Sequence, residues 1–165
     1  MKLKFIKYYL KYRDKIYNYF LYRLNFDREV AEDLTSEAFL RAFKKFADFD
    51  EKKASFSTWM FTVAHNLLVN YYRDKKSALS VEQMEMAGIQ FKDEKYLNKL
   101  VNQLEIKLAI DKIMALPAEY AQVLIMRLVN QLEYKEIAEI IGKEEGNVRV
   151  IVSRGLDKLN QEFTS

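Results

Sequence analysis

The stretch "KEEGNVRVIVSRGLDKL", residues 143–159, decides how the chain is read. Its centre, Val148, Val150, Ile151 and Val152, is a β-branched run of the kind that suits a pleated sheet. Read as a helix, Val148, Val152, Leu156 and Leu159 fall on one face at spacings of four, four and three, and pack inward. Asn147, Ile151, Arg154 and Lys158 then form an adjoining stripe. Arg149 and Ser153 form another, with Val150 between. The strand reading pairs Val148, Val150 and Val152, but no neighbouring segment supplies a partner strand.

Composition favours the helix. The 165 residues include four Gly and one Pro, too few turn formers for an all-β chain. Half are hydrophobic, enough to bury a core. An all-α protein of one domain or two small ones is expected. There is no cysteine, which excludes disulfides, thiolate metal sites and Cys nucleophiles. A lone histidine, His65, makes a transition-metal site improbable. No nucleophile–base set or Gly-rich phosphate loop is present, so no enzyme and no cofactor are expected. The basic, aromatic start "MKLKFIKYYLKYRDK" lacks the h-region of a signal peptide. No apolar run approaches the ~20 residues of a spanning helix. A cytoplasmic location without membrane insertion is the expectation.

Charge is uneven. Residues 1–76 hold 16 basic and 10 acidic residues, a net +6, while 77–165 hold 11 and 14, a net −3. The first half has the better electrostatic case for an anionic partner.

Helical stripes run through most of the chain. Phe5, Tyr9, Tyr12, Ile16, Tyr19, Phe20 and Leu24 mark a first helix, and Asp27 can cap a second over 28–46. The second helix faces inward with Val30, Leu34, Ala38, Ala42 and Phe46, widened by Ala31, Phe39 and Phe43. A polar loop leads to a third helix capped by Ser55 or Ser57, with Trp59 or Met60, Val63, Leu67 and Tyr71 inward. Residues 77–100 read as a linker with some helical content. Leu100, Leu104, Leu108 and Met114 mark the next stripe. Pro117 suits the first turn of an apolar helix. "EYKEIAEIIG" is a short helix stopped by Gly142.

The short helix, the turn at Gly142 and the helix of the opening stretch make a helix-turn-helix pattern. The second helix of such a motif can enter the DNA major groove. Arg149 is the best base reader, since Arg donates two hydrogen bonds to guanine, and Arg154 is the next candidate. Val150 and Ile151 are expected to meet thymine methyls. A packed hairpin without DNA binding stays open, because Glu144 and Glu145 sit where phosphates would approach.

Two segments together resemble one family. "AEDLTSEAFLRAFKKFADFDEKKASFSTWMFTVAHNLLVNYYRDKK", 31–76, resembles region 2 of sigma-70-type factors. "LPAEYAQVLIMRLVNQLEYKEIAEIIGKEEGNVRVIVSRGLDKL", 116–159, resembles region 4. The missing intermediate domain resembles the extracytoplasmic-function (ECF) subgroup. The resemblance implies two small helical domains: 1–76 for polymerase binding and −10 recognition and melting, and 101–165 for −35 recognition. Residues 77–100 would join them.

It also implies partners: core RNA polymerase through its β′ coiled coil and β subunit, promoter DNA, and an anti-sigma factor as a further candidate. Asp33, Glu37, Leu40, Arg41 and Lys44 would meet the polymerase. Lys52, Lys53, Phe56, Asn66, Tyr71, Tyr72, Arg73 and Lys76 would meet −10 DNA, where capture of a flipped base costs a few kcal/mol that pocket and stacking must return. Tyr134, Lys135, Asn147, Arg149, Val150, Ser153 and Arg154 would meet −35 DNA, Tyr134 and Lys135 through phosphates. Family members often carry Pro before the recognition helix and a denser basic run within it. Here residues 116–165 hold 6 basic against 8 acidic residues. Weak DNA binding by the isolated C-terminal domain is therefore expected, with tethering by polymerase supplying effective concentration. The runner-up is a helix-turn-helix regulator acting without sigma activity. A third reading is a helical interaction module with no DNA role.

Overall fold

A computed structural model describes residues 1–77 and 94–164, without the side chains of 76, 77 and 94–103. Among the described residues every regular element is helical: α1 (Lys2–Arg23), α2 (Arg28–Lys45), α3 (Phe56–Ser77), α4 (Glu94–Met114), α5 (Ala118–Leu124), α6 (Tyr134–Ile141) and α7 (Glu145–Thr164). The β-branched run lies within α7, so context overrides propensity there. None of the described helices is long and apolar enough to cross a membrane. The expected linker, 77–100, falls mostly outside the described residues, and α4 begins within it.

Helices α1–α3 pack around an aromatic core. Phe5 touches the rings of Phe39, Phe43, Phe46 and Phe56, mostly edge to face. Asp27 caps α2, its carboxylate accepting from the Val30 amide at 3.2 Å. Ser55 caps α3, accepting from the Thr58 amide at 3.1 Å. Between α1 and α2 the chain turns through two left-handed residues, Asn25 at φ 53° and Phe26 at φ 62°. Asn tolerates that region, whereas Phe there is a strained outlier. The Phe26 amide is satisfied by the Leu21 carbonyl at 2.9 Å.

Several stripes need correction. Phe43 remains 41% exposed rather than joining the α2 core. On α3 it is Met60, Phe61, Ala64, Leu67 and Leu68 that are buried, with Trp59, Val63 and Tyr71 half-buried. On α4 the inward residues are Ile110 and Ile113, while Leu104 and Leu108 are exposed. Both leucine and isoleucine stripes have helical spacing, and only the packing partner chooses between them. Leu100 lies outside the described side chains.

In the second half, α5 ends in a π-turn, Ile125–Val129, where the Asn130 amide bonds the Ile125 carbonyl at 3.1 Å. Gln131 follows at φ 56°. Pro117 occupies the N-cap of α5, one residue before the expected position. Gly142 ends α6 at φ 70°, the left-handed C-terminal stop read from the sequence. Gly155 lets α7 cross α5 closely: an added Cβ would sit 3.1 Å from Leu124 Cδ1.

The two bundles touch. Helix α6 packs on α3, and α1 meets the π-turn. At this seam Glu136 divides its carboxylate. Oε2 accepts from the Glu133 amide at 2.9 Å, and Oε1 accepts from the Thr58 hydroxyl at 3.4 Å.

Candidate nucleic-acid interface

Three surfaces carry the expected site residues. The first lies on α2. Asp33, Glu37, Leu40, Arg41 and Lys44 are all exposed, opposite the buried face. Arg41 donates Nε to Glu37 at 3.0 Å, and its Nη2 bonds the same oxygen. Leu40, 53% exposed, and Phe43 leave an apolar centre among these charges. Apolar contact ringed by polar groups suits docking to a protein. The sequence stripe placed Phe43 inward and so missed its part in this surface.

The second surface runs from the loop 49–55 along α3. The loop is held from below. Phe49 stacks on Trp59 at 4.9 Å, and Phe56 stacks on Tyr8 at 4.0 Å, nearly parallel. Glu51 is tied to α1 by Lys4 Nζ at 2.7 Å and by the Tyr8 hydroxyl. The hydrogen bond from Lys4, then that from Tyr8, holds the Glu51 carboxyl below its ordinary range. Lys52 and Lys53 are left exposed, with the Lys52 amide closing onto Asp50 Oδ1 at 2.9 Å.

Trp59, Asn66 and Arg73 recur every seven residues, so they share one face of α3, with Trp59 at the loop and Asn66 and Arg73 about 10 and 21 Å further along the helix. Asn66 and Arg73 are exposed there. Phe56 is buried in the aromatic cluster, so in this conformation its ring has no free face for a base. Tyr71 is half-buried, with Lys75 Nζ 5.7 Å from its ring centre. Tyr72 lies on another flank, its hydroxyl bonding the Arg23 carbonyl and strapping α3 to α1. Lys52 and Lys53 are thus exposed on the loop and Asn66 and Arg73 along one face of α3, while Tyr72 is set apart. The Lys76 side chain lies outside the described residues.

Near Tyr72, Arg23 is buried, and its Nε and Nη1 lack acceptors. His65 Nδ1 stands 3.4 Å from the Tyr19 hydroxyl. Burial, and then the Arg23 charge, push the His65 pKa below 6.5. His65 packs rather than faces a partner for proton transfer.

The third surface is the outer face of α7. Asn147, Arg149, Val150, Ser153 and Arg154 are all exposed. Val150 is 45% exposed near the middle, whereas Ile151 is only 8% exposed. The expected thymine contact of Ile151 is therefore corrected: its side chain is part of the core. Asn147 and Arg154 line a 260 Å³ cleft against the start of α5, with Glu119 and Lys143 paired across it at 3.6 Å. Arg149 lies on the α6 flank. Its Nη2 donates to Glu145 at 2.7 Å, and its guanidinium sits 4.6 Å from the Tyr134 ring centre. Lys135 is exposed at the start of α6. Arg127, unmarked in the sequence reading, also sits over Tyr134, at 4.5 Å.

An exposed Asn on the helix that follows a basic loop and an exposed Arg on a helix-turn-helix are chemistry for bases and phosphates. Among the described residues no His/Cys/Asp/Glu group could hold a metal ion. Comparison with known proteins agrees with the organisation. The Sigma-70 region 2 family matches residues 8–78 and Sigma-70, region 4 matches 106–159. The ECF RNA polymerase sigma factor SigW of Bacillus subtilis is 32% identical, covering 92% of this chain and 84% of its own. The ECF factor BldN of Streptomyces coelicolor is 28% identical over 92% of this chain, which spans 57% of BldN. The solved Bartonella quintana sigma factor RpoE, in complex with the anti-sigma factor NepR, superposes with TM-score 0.75 at 18% identity. The match covers 98% of this chain and 97% of that one.

Proposed function

Because the chain belongs to the ECF group of sigma-70-type RNA polymerase sigma factors, we propose a division of promoter recognition among its three surfaces. The domain of α1–α3 binds core polymerase through Asp33, Glu37, Leu40, Arg41 and Lys44, which meet the β′ coiled coil. The loop with Lys52 and Lys53 and the α3 stripe with Asn66 and Arg73 engage the −10 element and stabilise its melted strand. The domain of α4–α7 reads the −35 element with Arg149 at a guanine and Val150 at a thymine methyl. Arg154, Asn147, Ser153 and Lys135 supply flanking base and phosphate contacts.

The observation that carries this reading is the coexistence of the two exposed α3 and α7 stripes in one chain matched by both region 2 and region 4. Promoter elements some 25 base pairs apart are separated by ~85 Å along B-DNA at 3.4 Å per pair. Two domains in contact cannot span that distance, so engagement separates α6 from α3. The touching arrangement supports a further partner: an anti-sigma protein that holds the two domains together, as candidate rather than requirement for activity.

The test is a mobility shift of promoter DNA with the free chain, with core polymerase, and with both. Specific retention only with both supports the proposal. Specific binding of the free chain as a dimer, unaltered by polymerase, overturns it in favour of a helix-turn-helix regulator acting alone.

A further inference from the structure

Resting on the −35 reading above, we infer that Tyr134 is a positioning residue for Arg149: its ring holds the base-reading guanidinium in place and does not bind a phosphate through its hydroxyl. Two guanidinium groups are gathered on this one ring, Arg127 at 4.5 Å and Arg149 at 4.6 Å from its centre. Their roles differ. Arg127 is anchored inward, Nη1 donating to the Leu132 carbonyl at 2.9 Å, with Glu133 at 3.7 Å. It fixes the ring. Arg149 is exposed and anchored on one side only, by Nη2 to Glu145 at 2.7 Å.

A guanidinium carries five N–H donors in a rigid plane. The Tyr134 ring restrains the group from one side and the bond to Glu145 takes an Nη2 donor, leaving the other donors free for a guanine edge. Arg loses less freedom per bond when its fork is held beforehand. Tyr134 begins α6 on the first helix of the motif, whereas Arg149 is on the second. The ring thus links the reading side chain to the frame of the motif.

This arrangement gives Glu145 a purpose. An acidic residue at the start of a recognition helix repels phosphates, yet here its charge is spent on Arg149 four residues on. The pair turns an apparent obstacle to DNA binding into part of the reading device.

The test uses the full chain with core polymerase and promoters differing only at the −35 guanine. Tyr134→Phe keeps the ring and is expected to retain wild-type discrimination between the two promoters. Tyr134→Leu removes the ring and is expected to reduce discrimination about two- to fivefold, the range of one lost exposed cation–π contact. The slope of affinity against salt should stay unchanged, because no cation is lost. A uniform loss on every −35 sequence with Tyr134→Phe would mean a phosphate-holding hydroxyl and overturn the inference.

Arg149→Ala separates the two levels of argument. If it abolishes discrimination while Tyr134→Leu leaves it intact, the positioning role fails and the −35 reading stands. If Arg149→Ala itself leaves discrimination intact, the reading beneath fails. A measurement on the unaltered free chain covers the case of a variant that does not fold. The Arg149 Nε proton should resonate upfield of its unstructured position through the Tyr134 ring current, and an unshifted resonance overturns the inference.

Discussion

Replacing Leu40 by Ala probes the polymerase-facing surface. Leu40 is 53% exposed, so about half its apolar surface is already covered in the free chain. Fully burying a Leu side chain is worth ~1.5–3 kcal/mol. The uncovered half therefore offers about 1 kcal/mol to a partner that closes over it. Leu40→Ala should weaken core-polymerase affinity roughly fivefold, since 1.4 kcal/mol is a factor of ten. The half buried in the fold also goes, so the variant should lose about 1 kcal/mol of stability. Titration of labelled protein with core polymerase by fluorescence anisotropy reads the affinity, and a thermal melt ensures that both proteins are folded at the working temperature. Leu104 on α4 is matched in exposure at 54% and supplies the control. Leu104→Ala should leave affinity unchanged. An unchanged affinity for Leu40→Ala, or equal losses for both variants, would refute the docking assignment.

Two further predictions concern the fold. The His65 pKa is held below 6.5, so on acidification the unfolded chain takes up a proton before the folded one does. Stability should therefore fall as pH drops below about 7 towards the folded pKa, and His65→Gln should flatten that part of a urea-midpoint against pH profile; an equally steep profile in the variant would contradict it. At Gly155, an added Cβ would meet fully buried Leu124 at 3.1 and 3.2 Å. Overpacking costs typically ~1–3 kcal/mol and outweighs the ~1 kcal/mol that Ala gains over Gly in a helix. Gly155→Ala should lower the melting temperature, and a rise would show that α5 and α7 can move apart freely.

Much of this was legible from spacing. The Val148, Val152 and Leu159 face, the Gly142 stop and the Asp27 cap follow from local rules that the neighbours do not disturb. The failures share one cause. Leu104 and Leu108, four apart, and Ile110 and Ile113, three apart, both have helical spacing, and only the position of α7 and α5 against α4 selects the isoleucines. Ile151 and Val150 are adjacent and chemically alike, yet one is core and the other surface. At the candidate sites, exposed polar and charged residues such as Asn66 and Arg149 could be named from type and order. The ring beneath Arg149 could not, because Tyr134 and Arg127 reach it across the turn from other elements. Tyr72 shows the converse: an aromatic at the basic end of α3 looks like a base platform until its hydroxyl is found bonded to α1.

Run-off transcription with cognate core polymerase tests the central claim most directly. Templates carry one promoter, found by sequencing the start sites, with the −10 and −35 elements intact or separately scrambled. The account predicts a discrete transcript that requires both this protein and core, that falls when either element is scrambled, and that in Arg149→Ala loses its dependence on the −35 element. Absence of a promoter-dependent transcript with an active cognate core, or a transcript indifferent to both elements, would contradict it.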